Sequence, residues 1–189
     1  AVKDYERAEE YAHWAIDALT ELTEENPGHL VYQNRLSHAY QRLLDVYYVQ
    51  GMFDEVLELI PRVQEIHKKG RALWAAYRIA HSERMRGKIF AYEYGDPDRA
   101  LEAFDESIRV VETFEDFNLG HDSLVDSMLE SYRQKGRFYE SLGKTKRVID
   151  TAGKGHRLAV QRAFKYPTPR NLQRAFDRAR FYAKKLNAD

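Results

Sequence analysis

Gly95-Asp96-Pro97-Asp98-Arg99-Ala100 is the stretch whose reading decides the fold. A glycine lets a helix end in the left-handed conformation. Asp96 can cap the next helix with its carboxylate, and Pro97 suits the first helical position, where no backbone donor is needed. The stretch therefore joins two antiparallel helices. Its form recurs in Gly51-Met52-Phe53-Asp54-Glu55-Val56 and in Gly136-Arg137-Phe138-Tyr139-Glu140-Ser141. Each copy continues with small or apolar residues at matching offsets: Ile60 and Val63, Phe104 and Ser107, Thr145 and Val148. A further copy, Tyr5-Glu6-Arg7-Ala8 with Ala12 and Ala15, opens the chain. Self-similarity at periods of roughly 20–50 residues is the mark of a solenoid, in which stacked units bury a continuous core.

Working outward, breakers divide the rest of the chain. They are Asn26-Pro27-Gly28, Gly70, Asn118-Leu119-Gly120 with Asp122 or Ser123 as the cap that follows, Gly153-Lys154-Gly155 and Pro167-Thr168-Pro169. Between them apolar residues recur at three and four, as in Leu172, Ala175, Phe176, Ala179, Tyr182, Ala183 and Leu186. Alternating strand patterns and Asn-Gly or Asp-Gly hairpin turns are absent. The expected fold is all-α: a right-handed α-solenoid of antiparallel helix pairs, with about nine helices. Pro61 inside the third helix predicts a kink or a break into two shorter helices, because it removes a backbone donor.

The repeats resemble the tetratricopeptide repeat family. That pattern sets a tyrosine four residues before a glycine, which Tyr47 and Tyr132 match and Ala91 replaces. The resemblance spans roughly residues 4–150 and implies paired helices that grip other proteins. The copies are long: Val56 to Ala100 is 44 residues and Ala100 to Ser141 is 41, against about 34 in the standard repeat. The first copy supplies only a second helix, so its partner is expected before residue 1. Residues 1–153 are read as repeats and residues 154–189 as a basic capping helix pair, since the last repeat needs a polar cover.

The first helices of such pairs line the concave face. Counting back from each turn glycine gives its candidates: His38, Gln41, Arg42, Asp45 and Tyr48; Ser82, Met85, Arg86, Ile89, Tyr92 and Glu93; Ser123, Asp126, Ser127, Glu130 and Arg133. This mix of aromatic, apolar and charged residues suits a peptide or helix held by a few anchors. Tyr48 and Tyr92 are the expected aromatic anchors, whereas Tyr40, Tyr47, Trp74, Tyr77 and Tyr132 are expected to pack between helices. One subfamily clamps C-terminal carboxylates with a lysine and asparagines. The corresponding positions here carry Gln41, Asp45, Arg42, Ser82 and Arg86, so that ligand is not implied.

Zero net charge hides an asymmetry. Residues 1–26 hold eight acids against Lys3 and Arg7; residues 144–189 hold thirteen Lys and Arg against three Asp. Arg170, Arg174, Arg178, Lys184 and Lys185 form the expected basic surface. Two further readings follow: self-association by stacking acidic on basic ends, and, as the weaker one, nucleic-acid binding by the C-terminal helices. The seven histidines form no zinc motif, and no phosphate loop or nucleophile elbow occurs. No catalytic residue, metal or cofactor is expected, and the chain is read as a binding module rather than an enzyme. With 43% apolar and 32% charged residues it is neither disordered nor membrane-spanning. The lack of cysteine fits a reducing compartment, so a cytoplasmic location is expected.

Overall fold

Three glycines, Gly51, Gly95 and Gly143, hold φ angles of 79°, 63° and 66°. Each closes a helical hairpin, because only a residue without Cβ turns the chain there cheaply. In the computed structural model, which describes residues 4–69, 72–114 and 119–186, the hairpins join eight α-helices. They are α1 (Tyr5–Glu25), α2 (Leu30–Gln50), α3 (Phe53–Lys69), α4 (Ala72–Lys88), α5 (Pro97–Glu112), α6 (Asp122–Ser141), α7 (Thr145–Lys165) and α8 (Pro169–Leu186). A π-helical turn, Ile89–Glu93, extends α4. Among the described residues there is no strand. The expected breaks at Gly70 and Asn118 lie outside the described residues.

The expectation of about nine helices is corrected to eight because Gly136, Gly153 and Gly155 are not turns. α6 runs through Gly136, and α7 runs through Gly153 and Gly155. These last two are small where helices cross: Gly155 lies against Tyr132 and Gly153 against the Tyr182 ring. The real third turn is Gly143, seven residues later, so the turn glycines are 44 and 48 residues apart. Five residues after each turn, Val56, Ala100 and Val148 are buried at the helix crossings. The boundary expected between residues 153 and 154 thus falls inside α7.

Other local expectations divide. Asp96 accepts a 3.0 Å hydrogen bond from the Arg99 amide, with Pro97 opening α5. At α6 the cap is His121, whose side chain makes no capping bond, rather than Asp122 or Ser123. α3 is a single helix through Pro61 and does not break in two. Pro61 sits on its exposed side, where solvent can reach the broken rung.

Consecutive helices pack antiparallel, and α4 also touches α6. Helices α2, α4, α6 and α8 form one layer; α1, α3, α5 and α7 form the other. Successive outer-layer helices make at most marginal contact, whereas α4 and α6 pack directly in the inner layer. One core cluster joins α1, α2 and α3 to Met85 and Ile89, and a second joins α4, α5, α6 and α7. At the α4–α5 crossing, Gly87 lies directly on the buried Phe104 ring.

Candidate functional site

Arg84 ties the two central inner helices together. From α4 its guanidinium donates to the Ser127 carbonyl at 3.2 Å, the Ser127 hydroxyl at 2.7 Å and the Ser131 hydroxyl at 3.1 Å. It is 6% exposed, and burial holds its pKa down to about 10. All three acceptors are neutral, and a charge left in low dielectric without a counter-ion is costly. The nearby acids are engaged elsewhere. Glu130 accepts from Arg133 at 2.5 Å and Gln134 at 2.6 Å. Burial alone would raise its pKa, but these bonds outweigh burial and hold it below the ordinary value. Asp126 takes Arg174 at 2.5 Å.

Three more cations share this condition. Arg78 is buried and donates to the Ser37 hydroxyl. Lys88 sits over the Tyr48 ring at 5.4 Å, its pKa lowered by burial. Arg178 donates to the Leu129 carbonyl at 3.1 Å, its pKa also lowered by burial. Among the described residues none of the four has a carboxylate within 4.0 Å. Between α4 and α6 a cleft of about 390 Å³ opens on this layer, lined by Tyr77, His81, Arg84, Met85, Lys88, Asp126, Ser127 and Glu130. It sets the cations Arg84 and Lys88 and the carboxylates Asp126 and Glu130 beside an aromatic and a thioether.

The expected groove residues fare differently on the three helices. On α2, His38 and Arg42 are exposed, Gln41 donates to Asp45 at 3.2 Å, and Asp45 reaches His81 at 3.5 Å. Tyr48 is half-buried, edge-on to Phe53. On α6, Asp126, Glu130 and Arg133 face the inner layer as expected, Ser123 is half-buried and Ser127 is buried under Arg84. Although Gly136 is not the turn, the real turn is seven residues on. Seven residues are nearly two helical turns, so the face is unchanged.

On α4 the assignment is corrected by one residue. Ser82 and Ile89 are fully buried, and Arg86 pairs at 2.7 Å with Glu83, itself buried and bound by Gln64 at 2.5 Å. Met85 is buried but lines the cleft, while Tyr92 and Glu93 are exposed. The residues that do face inward are Tyr77, His81, Arg84 and Lys88. The cause is the π turn at Ile89–Glu93, which lies between them and Gly95. A π turn takes one residue more than an α turn, so counting back from Gly95 at helical spacing lands one position late. A second signal was legible: His81, Arg84 and Lys88 share one helical face.

The expected basic surface is largely turned inward. Arg174 and Arg170 both reach Asp126, the latter at 3.4 Å; Arg178 caps a carbonyl of α6; and Lys185 pairs with Glu140. Of the five, Lys184 alone has no ion-pair or hydrogen-bond partner among the described residues. Among the tyrosines and tryptophans expected to pack, Tyr40 and Tyr132 are buried and Tyr47 and Tyr77 are half-buried, but Trp74 is exposed. No group of three or more His, Asp or Glu that could hold a metal ion occurs among the described residues. No helix there is long and apolar enough to cross a membrane.

Three larger clefts occur; one of about 450 Å³ lies at the loop end of α1 and α2 over Leu36 and Ile66, and two lie between outer-layer helices. One, of about 780 Å³, runs between α1 and α3 over Tyr40 and Tyr47; the other, of about 550 Å³, runs between α5 and α7 over Tyr132. They occupy equivalent places in the repeat, so splaying of the outer helices accounts for both.

No family model matches the chain, and no curated protein matches it. The crystal structure of the de novo designed helical repeat protein DHR64 is similar, with a TM-score of 0.50 and 17% identity. The match covers 97% of this chain and 96% of that one. The crystal structure of BtubC (BKLC) from P. vanneervenii aligns with a TM-score of 0.43 and 14% identity, over 99% of this chain and 94% of that one. The chain has a helical-repeat fold.

Proposed function

We propose that the chain is a protein-interaction module of long-repeat tetratricopeptide type that grips an acidic peptide or helix along its inner layer. The observation that carries this reading is the set of cations, buried Arg78 and Arg84 and part-buried Lys88 and Arg178, that lack a carboxylate within 4.0 Å among the described residues. A buried cation with neutral neighbours is stabilised by an incoming carboxylate more than an exposed one is, because its water has already been removed. Tyr77, Met85 and the exposed Tyr92 supply the apolar contacts that fix a helix or extended segment beside those charges. Binding, rather than chemistry, is the reading: the inner layer offers cations and aromatics, and the Ser37 hydroxyl that bonds the His67 ring is sealed in the core away from any substrate.

A fluorescein-labelled amphipathic peptide with glutamates at helical spacing, and its lysine counterpart, test the reading by anisotropy at physiological salt. The acidic peptide is expected to bind and the lysine peptide not. Lys88→Glu should weaken binding at least tenfold with little change in melting temperature, because Lys88 is only part-buried. Equal binding of both peptides, or binding indifferent to Lys88→Glu, overturns it.

A further inference from the structure

The first and last helices of the stack present complementary outer faces. Among the described residues α1 packs on α2 and α8 packs on α7, and no other helix covers their outer faces. Each leaves an apolar strip open. On α1 the strip is Tyr11, Trp14 and Leu22, with Trp14 73% exposed. At the other end it is Phe164 of α7 with Leu172 and Phe176 of α8, where Phe164 is 92% and Phe176 62% exposed. Exposed aromatic strips of this kind mark contact surfaces.

Charge distinguishes the two strips. Glu10, Asp17 and Glu21 flank Trp14, whereas Arg157, Arg180 and Lys184 flank the strip on α7 and α8. All six are exposed and none is in an ion pair among the described residues. Each strip thus fits the other better than it fits itself, since like charges would oppose a symmetric contact.

We infer that a second copy of this chain covers each strip: α8 of one copy and α1 of the next form a helix pair, and copies stack head to tail. The contact joins two different surfaces, so it extends to chains or closes to a ring rather than stopping at a symmetric dimer. This inference is independent of the inner-layer site.

Light scattering and sedimentation of the full chain test it. At low salt the weight-average mass should rise with concentration, and added salt should lower it by screening the flanking charges. Trp14→Asp blocks one end and Phe176→Asp the other; each variant alone should stay monomeric. Mixed one to one, they should form a dimer and nothing larger, because each retains the end that the other has lost. A wild-type chain that is monomeric at every concentration overturns the inference, as does association that survives either change or a mixture that stays monomeric. Both positions are exposed, so melting curves should match the wild type. Should either variant melt early, Tyr11→Asp or Leu172→Asp blocks the same strip.

Discussion

Phe104 and Phe164 are phenylalanines on successive outer-layer helices, yet one is sealed and the other stands almost wholly in solvent. Phe104 lies on α5, in the middle of the stack, closed over by Gly87 of α4 and by Phe138 of α6, whose ring centroid is 6.0 Å away. Phe164 lies on α7, beside a terminal helix that leaves it open. The middle is also where polar groups are buried: His67, Glu83 and Arg84 sit among α2, α3, α4 and α6 with specific partners. At the ends large aromatics stand bare, although Arg162 and Asn171 are buried between α7 and α8. Residue type does not separate the two regions. The number of neighbouring helices does, and it assigns stability to the middle.

The sharpest way to break this contrast is to hollow the middle. Phe104→Ala should cost about 3–5 kcal/mol, the usual range for emptying a buried aromatic site, read from the urea midpoint. A cost below about 1 kcal/mol would put Phe104 on a par with Phe164 and end the distinction.

Acid should attack the middle first. Ser37 hydrogen-bonds the His67 ring, and burial, then Arg78, His81 and His38, hold its pKa down to about 3. The unfolded ring titrates near 6.5. Between those values the unfolded chain carries the extra proton, so the contribution is complete above about pH 6.5 and declines as pH falls toward 3. At pH 5 the loss is roughly 2 kcal/mol. Urea titrations across this window should show the slope, and His67→Gln should flatten it.

Gly87→Ala sharpens the comparison on the packing side. A Cβ there would stand 2.7 Å from the Phe104 ring, so overpacking of about 1–3 kcal/mol opposes the helix propensity gained, about 1 kcal/mol. The net expected loss is roughly 1 kcal/mol, and the double change Gly87→Ala with Phe104→Leu should cost less than the sum of the two. At the C-terminal end effects are smaller. Asp126→Ala removes the partner of Arg174 and Arg170 and should cost about 0.5–1 kcal/mol, visible as faster amide exchange confined to α8.

Much of this was legible in the residues. The turns at Gly51 and Gly95, the cap at Asp96 and the hairpin pairing follow from local chemistry, and local chemistry is written in adjacent residues. Gly136 misled because a glycine at a helix crossing and a glycine at a turn look alike in one dimension. On α6 the error moves no residue to another side, since a seven-residue shift preserves a helical face. On α4 a single π turn rotates the inner face by one residue.

The sequence by itself determined that this chain is a stack of antiparallel helices with acidic and basic ends, because periodicity and turn residues act over a few positions. Only the tertiary structure decided which charges are spent. It turned Arg174, Arg170 and Lys185 onto α6 and left Arg84 and Lys88 without an ion-pair partner among the described residues. Pairing is set by helices some forty residues apart along the chain coming within a few ångströms, and no local pattern records that distance.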